Sequence, residues 1–139
     1  MEWKKGDYRI SDDKTELDLF YLVPAIQKSY WAPDRTREVV EASIRNSVCL
    51  GLFKDDRQIG FARAVTDSCT FAWVCDVMVH PDHRGIGLGK FLMDCLTKHP
   101  SVEKVELQFL VTEDAHGLYE QFGYSICEAM IRKSGGSAW

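Results

Sequence analysis

Apolar residues along this chain keep two different rhythms. Leu19, Leu22, Val23 and Ile26 recur at helical spacing, and so do Val39, Val40 and Ile44. That spacing predicts helices over about 19–28 and 35–45, the first kinked or restarted at Pro24. Segments 47–53 and 58–66 flank Lys54-Asp55-Asp56-Arg57 and read as a hairpin. The nearly continuous apolar run 71–79 predicts a buried central strand. Phe91, Leu92, Cys95 and Leu96 then predict a main helix that begins near Gly85 to Gly87 and stops before Pro100. Segment 102–111 holds a fifth strand, 113–122 a short helix closed by Gly123, and 124–132 a last strand. Residues 8–11 supply a first short strand. Strands that first meander and then alternate with helices give a mixed sheet with helices on both faces, an α+β fold. The expected organisation is one domain over 1–133 with a loose tail at 134–139.

The boundary between the central strand and the main helix is unusual. Val77-Met78-Val79-His80-Pro81-Asp82-His83-Arg84 leads into Gly85, Gly87 and Gly89, three glycines at alternate positions. Each disfavours a helix by ~1 kcal/mol relative to alanine. Their placement makes sense if a ligand approaches the backbone closely there. A helix start offers unpaired amide hydrogens and partial positive charge, so the ligand is an anion. Arg84 and Lys90 add formal charge. A Walker loop is excluded, because Gly89-Lys90 is followed by Phe91 and no hydroxyl is placed to hold magnesium. A dinucleotide fingerprint is excluded because the third glycine falls one residue early.

The pattern Arg84-x-x-Gly87-x-Gly89 resembles the pyrophosphate loop of the GNAT superfamily of N-acetyltransferases. The preceding run "DVMVHPDHRG" looks like that family's fourth strand and turn, and "AHGLYEQFGY" (115–124) resembles its A-x-x-L-Y-x-x-x-G-F/Y helix. The order of elements agrees over nearly the whole chain. The resemblance implies the GNAT fold, with acetyl-CoA as co-substrate and an amine as acceptor, attacked directly in a ternary complex. A CoA sensor or protein-binding module on the same fold is the alternative. Larger donors such as succinyl-CoA or propionyl-CoA are a second one. Relatives often pair, so a homodimer is expected as an option.

Composition narrows the partners. At 139 residues, 45% hydrophobic and 27% charged, the chain is long enough for one packed core. The net charge of −4 argues against nucleic acid. Five cysteines, an odd number with no C-x-x-C, indicate neither a disulfide framework nor a zinc ribbon. No signal peptide opens the chain and no run is long enough to span a bilayer, so the cytosol is the expected compartment. His80 and His83 have H-x-x-H spacing across Pro81, with no third ligand in view, and no metal is expected.

Residue roles follow mainly from the resemblance. Amides around Gly85, Gly87, Gly89 and Lys90, with Arg84, would hold the pyrophosphate of CoA. A bulge in the central strand would free amides near Met78 and Val79 to polarise the thioester carbonyl. Tyr119 matches the tyrosine that protonates the leaving thiolate in many relatives. Its ordinary pKa of ~10 lies only slightly above a thiol's ~8.5. Packing in a short amphipathic helix is the plainer role for Tyr119. Asp76 stands in an otherwise apolar strand, where an unpaired carboxylate would be costly. It also matches an acidic position lining the acceptor site in polyamine-type relatives, so it could bind the amine or relay its proton. The plainer role is a hydrogen-bonded structural carboxylate. His80 could be the base, or could cap the turn. Tyr30 and Trp31, in the loop between the first two helices, would face substrate or pack the loop onto the sheet. Thr112 stands where relatives usually carry asparagine, which removes an amide contact to the CoA arm.

Overall fold

The computed structural model describes residues 1–134. The expected tail therefore lies, but for Ser134, outside the described residues. Six strands form one sheet in sequence order: β1 (Glu2–Lys5), β2 (Tyr8–Ser11), β3 (Val48–Lys54), β4 (Arg57–Thr66), β5 (Phe71–Val79) and β6 (Leu107–Phe109). Every neighbouring pair is antiparallel except β5 and β6, which run parallel. Helices α1 (Leu19–Gln27) and α2 (Arg37–Arg45) connect β2 to β3. Helix α3 (Leu88–Thr97) crosses from β5 to β6, and α4 (His116–Glu120) follows β6. The α+β architecture with a mixed sheet is as the sequence implied.

The alternation of side chains in the strands sends two apolar sets to opposite faces. On one face Leu50, Leu52, Ala62, Ala64 and Val74 pack against Leu88, Leu92, Met93 and Leu96 of α3. On the other, Cys49 and Phe61 meet Leu22 and Ile26 of α1 and Val40 and Ile44 of α2. Asp18 caps α1 by accepting from the Phe20 amide, and Thr36 caps α2 by accepting from Val39. Helix α1 runs through Pro24 as one helix and does not restart there. The donor missing at Pro24 affects the Phe20 carbonyl, on a turn whose Phe20 side chain is exposed to solvent.

Three elements differ from the sequence reading. Strand β1 was not anticipated, because Glu2-Trp3-Lys4-Lys5 shows little apolar signal. It is an edge strand that pairs with β2 alone. Helix α4 is only five residues long. Segment 124–132 forms no strand and joins no ladder among the described residues. It lies instead across a groove of about 700 Å³ from β6. Its alternating apolar residues suit a strand, but a strand exists only with a paired neighbour, and here, among the described residues, only the Tyr124 hydroxyl reaches β6, at Gln108 Oε1.

Candidate active site

Strands β5 and β6 pair only at Phe71, Ala72 and Trp73 with Leu107, Gln108 and Phe109. Beyond Trp73 no pairing between them continues. The fork between them encloses a cavity of about 100 Å³ lined by Trp73, Cys75, Asp76, Leu110 and Tyr119, with Tyr30 and Trp31 over it. A parallel pair that splays exposes backbone amides without leaving them on a solvent-facing edge.

The expected bulge is present, slightly earlier in the strand than expected. Arg63 faces Cys75 and Phe61 faces Met78, so Ala62 stands opposite both Asp76 and Val77. Asp76 takes φ of 53°, the left-handed region that aspartate tolerates better than most residues. After the bulge the His80 amide donates to the Ile59 carbonyl of β4. Alternation along the strand then turns the Met78 amide toward Phe61 and leaves those of Val77 and Val79 facing the fork. The Met78 amide, expected from the sequence to face the fork, is thus turned away from it, and the Val77 amide, which sequence reasoning missed, faces it beside that of Val79. The signal could not have been found in the sequence, because it depends on which residue bulges.

The Asp76 carboxylate is fully buried and fully engaged. The Trp31 indole donates to Oδ1 at 2.8 Å, Arg35 Nη1 to both oxygens at 2.9 Å, and Arg63 Nε to Oδ2 at 2.9 Å. Burial would raise its pKa, but the Arg63 and Arg35 charges and the Trp31 bond outweigh it. The net result holds the group below the usual carboxylate value. Such a group is a poor proton acceptor at neutral pH. Arg63 also donates to the Ser47 hydroxyl at 2.9 Å. Both arginines were missed in the sequence. Arg63 carried a readable signal, a lone cation inside the apolar run of β4 next to a strand with a lone carboxylate.

Tyr30 and Trp31 pack edge to face at 5.0 Å. The Tyr30 hydroxyl accepts from the Glu113 amide at 2.9 Å, which ties the α1–α2 loop to the segment entering α4. Tyr119 reaches the cavity from α4, and its hydroxyl makes no hydrogen bond among the described residues. Burial, with the nearby Tyr30 and Asp114, pushes its pKa to about 12, so it stays protonated. Asp114, another residue the sequence reading passed over, is an exposed carboxylate on the cavity rim. His80 is used as a cap, its Nδ1 accepting from the Asp82 amide at 3.1 Å.

At the other end of the fork the chain turns through Pro81–His83 into α3. Gly85 and Gly87 have φ of 82° and 85°, which only glycine adopts without strain. A Cβ at either would meet no protein atom within 4 Å, so open space and not crowding surrounds them. Gly87 is the N-cap of α3 and offers no side-chain cap. The first helical bond runs from Phe91 to the Gly87 carbonyl, so the amides of Leu88, Gly89 and Lys90 point out of the helix start unpaired. Arg84 Nε donates to the Val79 carbonyl at 3.0 Å and locks the loop against the end of β5. Arg84 and Lys90 have no carboxylate partner among the described residues. Gly89 lies on the helix face toward α4, with Leu118 in ordinary contact range. The donor set fits a pyrophosphate: three unshared amides, a helix dipole and two free cations.

Known proteins share this sequence pattern and fold. The profile of the acetyltransferase (GNAT) domain matches residues 45–126, from the end of α2 past α4. This chain belongs to the GNAT family of acetyltransferases. It is 31% identical to a Porphyra purpurea protein described as an uncharacterized N-acetyltransferase, ycf52, over 85% of this chain and 70% of that one. A Gibberella zeae protein designated an acetyltransferase is 27% identical over 84% of this chain and 78% of its own. Among solved structures, a protein assigned to the GNAT family from Xanthomonas campestris pv. campestris superposes with a TM-score of 0.88 at 36% identity. The match covers 93% of this chain and 94% of the other. The GNAT protein is accordingly an acyltransferase. Among its described residues no helix is long and apolar enough to cross a membrane.

Proposed function

We propose that this GNAT protein transfers the acetyl group of acetyl-CoA to a primary amine by direct attack in a ternary complex. The observation that carries the reading is the set of unpaired amides at the start of α3, on the helix that follows β5. The fork between β5 and β6, with Tyr119 in its cavity, supports it.

Acetyl-CoA supplies a thioester, an acyl group activated toward amines. The chain's own residues do the rest. The amides of Leu88, Gly89 and Lys90, with the loop at Gly85 and Gly87 and the Arg84 and Lys90 side chains, bind the pyrophosphate. The Val77 and Val79 amides polarise the carbonyl, and a donor of that kind is worth ~3 kcal/mol in acyl transfer. Tyr119 donates its proton to the departing sulfur, a contribution of ~100- to 10,000-fold, and is reprotonated through water by the proton that the attacking nitrogen sheds as the amide forms. Asp76 takes a positioning role in place of the base expected from the sequence. It holds Trp31 and Arg35, and through them the loop that roofs the acceptor side. The cavity of about 100 Å³ between the aromatic walls favours a short acyl chain over succinyl or a longer donor. Free thiols at all five cysteines suit the reducing cytosol as its compartment.

The test is thiol release from acetyl-CoA across a panel of primary amines, with both substrates varied. Intersecting double-reciprocal lines support the ternary complex, and parallel lines would replace it with a covalent acyl-enzyme route. CoA binding with no turnover of any amine would leave only a sensor.

A further inference from the structure

Two carboxylates line the cavity between β5 and β6, and their surroundings are opposite. Asp76 is buried, and its oxygens are taken by Trp31, Arg35 and Arg63. Asp114 is exposed at the rim, and its side chain makes no hydrogen bond or ion pair among the described residues. The backbone that carries it is nevertheless held on both sides. The Glu113 amide donates to the Tyr30 hydroxyl at 2.9 Å, and the Ala115 amide donates to Thr112 Oγ1 at 3.1 Å. An unpartnered carboxylate on a fixed stretch of chain is placed to bind a group that the protein does not itself supply. Its charge also reaches Tyr119, where it helps to keep the hydroxyl protonated. Asp114 thus stands near the residue assigned as the acid.

We propose that Asp114 receives the ammonium group of the acceptor at the cavity mouth and selects an amine with one positive charge on an apolar body. This assignment presupposes that the cavity is the acceptor side of the proposed acetyl transfer. An ammonium gains a charge-assisted bond from a carboxylate that has no competing cation. Tyr30, Trp31 and Trp73 supply aromatic rings, which attract a cation within about 6 Å of their faces and pack the apolar part of its carrier. No lysine or arginine is among the lining residues, so the carboxylate of an amino acid would enter without a counter-ion. A diamine gains little over a monoamine, because the second lining carboxylate, Asp76, is already saturated. The same saturation decides where the proton is lost. Asp76 is held as a carboxylate by its arginines and is a poor acceptor, so the ammonium gives its proton to water at the rim. The neutral amine then moves inward to the thioester carbonyl.

Tryptophan fluorescence reads amine binding without turnover, because Trp31 and Trp73 line the cavity. Probes with one four-carbon chain separate the contributions at constant ionic strength: n-butylamine, 1-butanol, 1,4-diaminobutane and 4-aminobutanoate. The wild-type protein should bind n-butylamine about tenfold or more tightly than 1-butanol. The diamine should gain no more than the roughly twofold statistical advantage of its two ends, and 4-aminobutanoate should bind about tenfold less tightly than n-butylamine. Asp114→Asn should bring n-butylamine down to the level of 1-butanol with the thermal melt in place, and Asp114→Glu should recover most of the loss. In the transfer assay Asp114→Asn should raise the KM for n-butylamine about tenfold and alter kcat less than about threefold. Equal binding of amine and alcohol would overturn the proposal, and so would an amine preference or a KM that Asp114→Asn leaves unmoved. Clearly tighter binding of the diamine or of 4-aminobutanoate would overturn the substrate class. Charge-dependent binding at Asp114 without turnover of any amine would remove acetyl transfer and leave the ammonium site standing.

Discussion

Arg35 Nη1 lies 2.9 Å from both carboxylate oxygens of Asp76, 41 positions away in sequence, with Trp31 and Arg63 on the same carboxylate. The bonds join the loop after α1 to the bulge in β5 and tie Trp31, over the cavity, to the strand that floors it. Asp76→Asn would keep the shape and remove the charge, leaving two guanidinium groups without their counter-ion. Breaking a buried pair on one side costs about 3 kcal/mol. Urea unfolding at neutral pH should show a loss of that size. A positioning role further predicts a raised KM for the amine with the ascending limb of the pH–rate profile retained. Disappearance of that limb would restore Asp76 as the base.

Tyr119 differs from Asp76 in having a hydroxyl free of protein partners and a pKa raised to about 12. A group acting as acid loses activity as pH rises through its pKa, so the raised value moves that loss beyond the ordinary tyrosine value of 10.0. Turnover should therefore show no descending limb from this residue up to about pH 10.5. Tyr119→Phe should lower kcat by ~100-fold or more with the CoA dissociation constant changed less than about threefold. Stopped assays and calorimetry measure the two quantities separately. An unchanged kcat would reduce Tyr119 to a packing residue.

How far the sequence could be read depended on how local the signal was. Gly85, Gly87 and Gly89 announce the tight turn and uncapped helix start because backbone conformation is set within a few residues. The two helical faces at Leu22/Ile26 and Val40/Ile44 were legible for the same reason. The bulge was legible as a need but not as a place, and the error from Met78 to Val77 is one step in a period of two. Asp76 was correctly singled out as an oddity in an apolar strand. Its partners Arg35 and Arg63 come from two other elements, and no local pattern ties them together. Segment 124–132 has the composition of a strand, yet composition cannot supply a neighbour.

Gly87 separates backbone strain from ligand occlusion. Its φ of 85° means that any side chain there costs about 1–2 kcal/mol, yet a Cβ meets no protein atom. Gly87→Ala should then lower stability by about that amount and weaken CoA binding moderately. Gly87→Glu should lose CoA binding altogether, because its carboxylate occupies the anion's space with the same sign of charge. Calorimetric titration with CoA, beside thermal melts of both variants, reads the two effects apart. Tight CoA binding by Gly87→Glu would move the pyrophosphate site elsewhere.

Stability at low pH should carry the signature of the Asp76 cluster. The carboxyl has a lower pKa in the folded chain than its ordinary 3.8, held there against burial by Arg63, Arg35 and Trp31. The unfolded chain therefore binds this proton more readily than the folded one. The stabilisation is complete above the unfolded value and is lost as pH falls through the folded one. Exposed carboxylates such as Asp67 and Asp13 are lowered as well, by their own turn hydrogen bonds, and add to the acid sensitivity of the whole chain. The difference between wild type and Asp76→Asn isolates the buried group. That difference should be flat from about pH 7 to about pH 5 and shrink steadily below about pH 4. Urea unfolding curves for both proteins across that range measure it, and a difference constant down to about pH 2.5 would mean that Asp76 does not hold the arginines as a carboxylate.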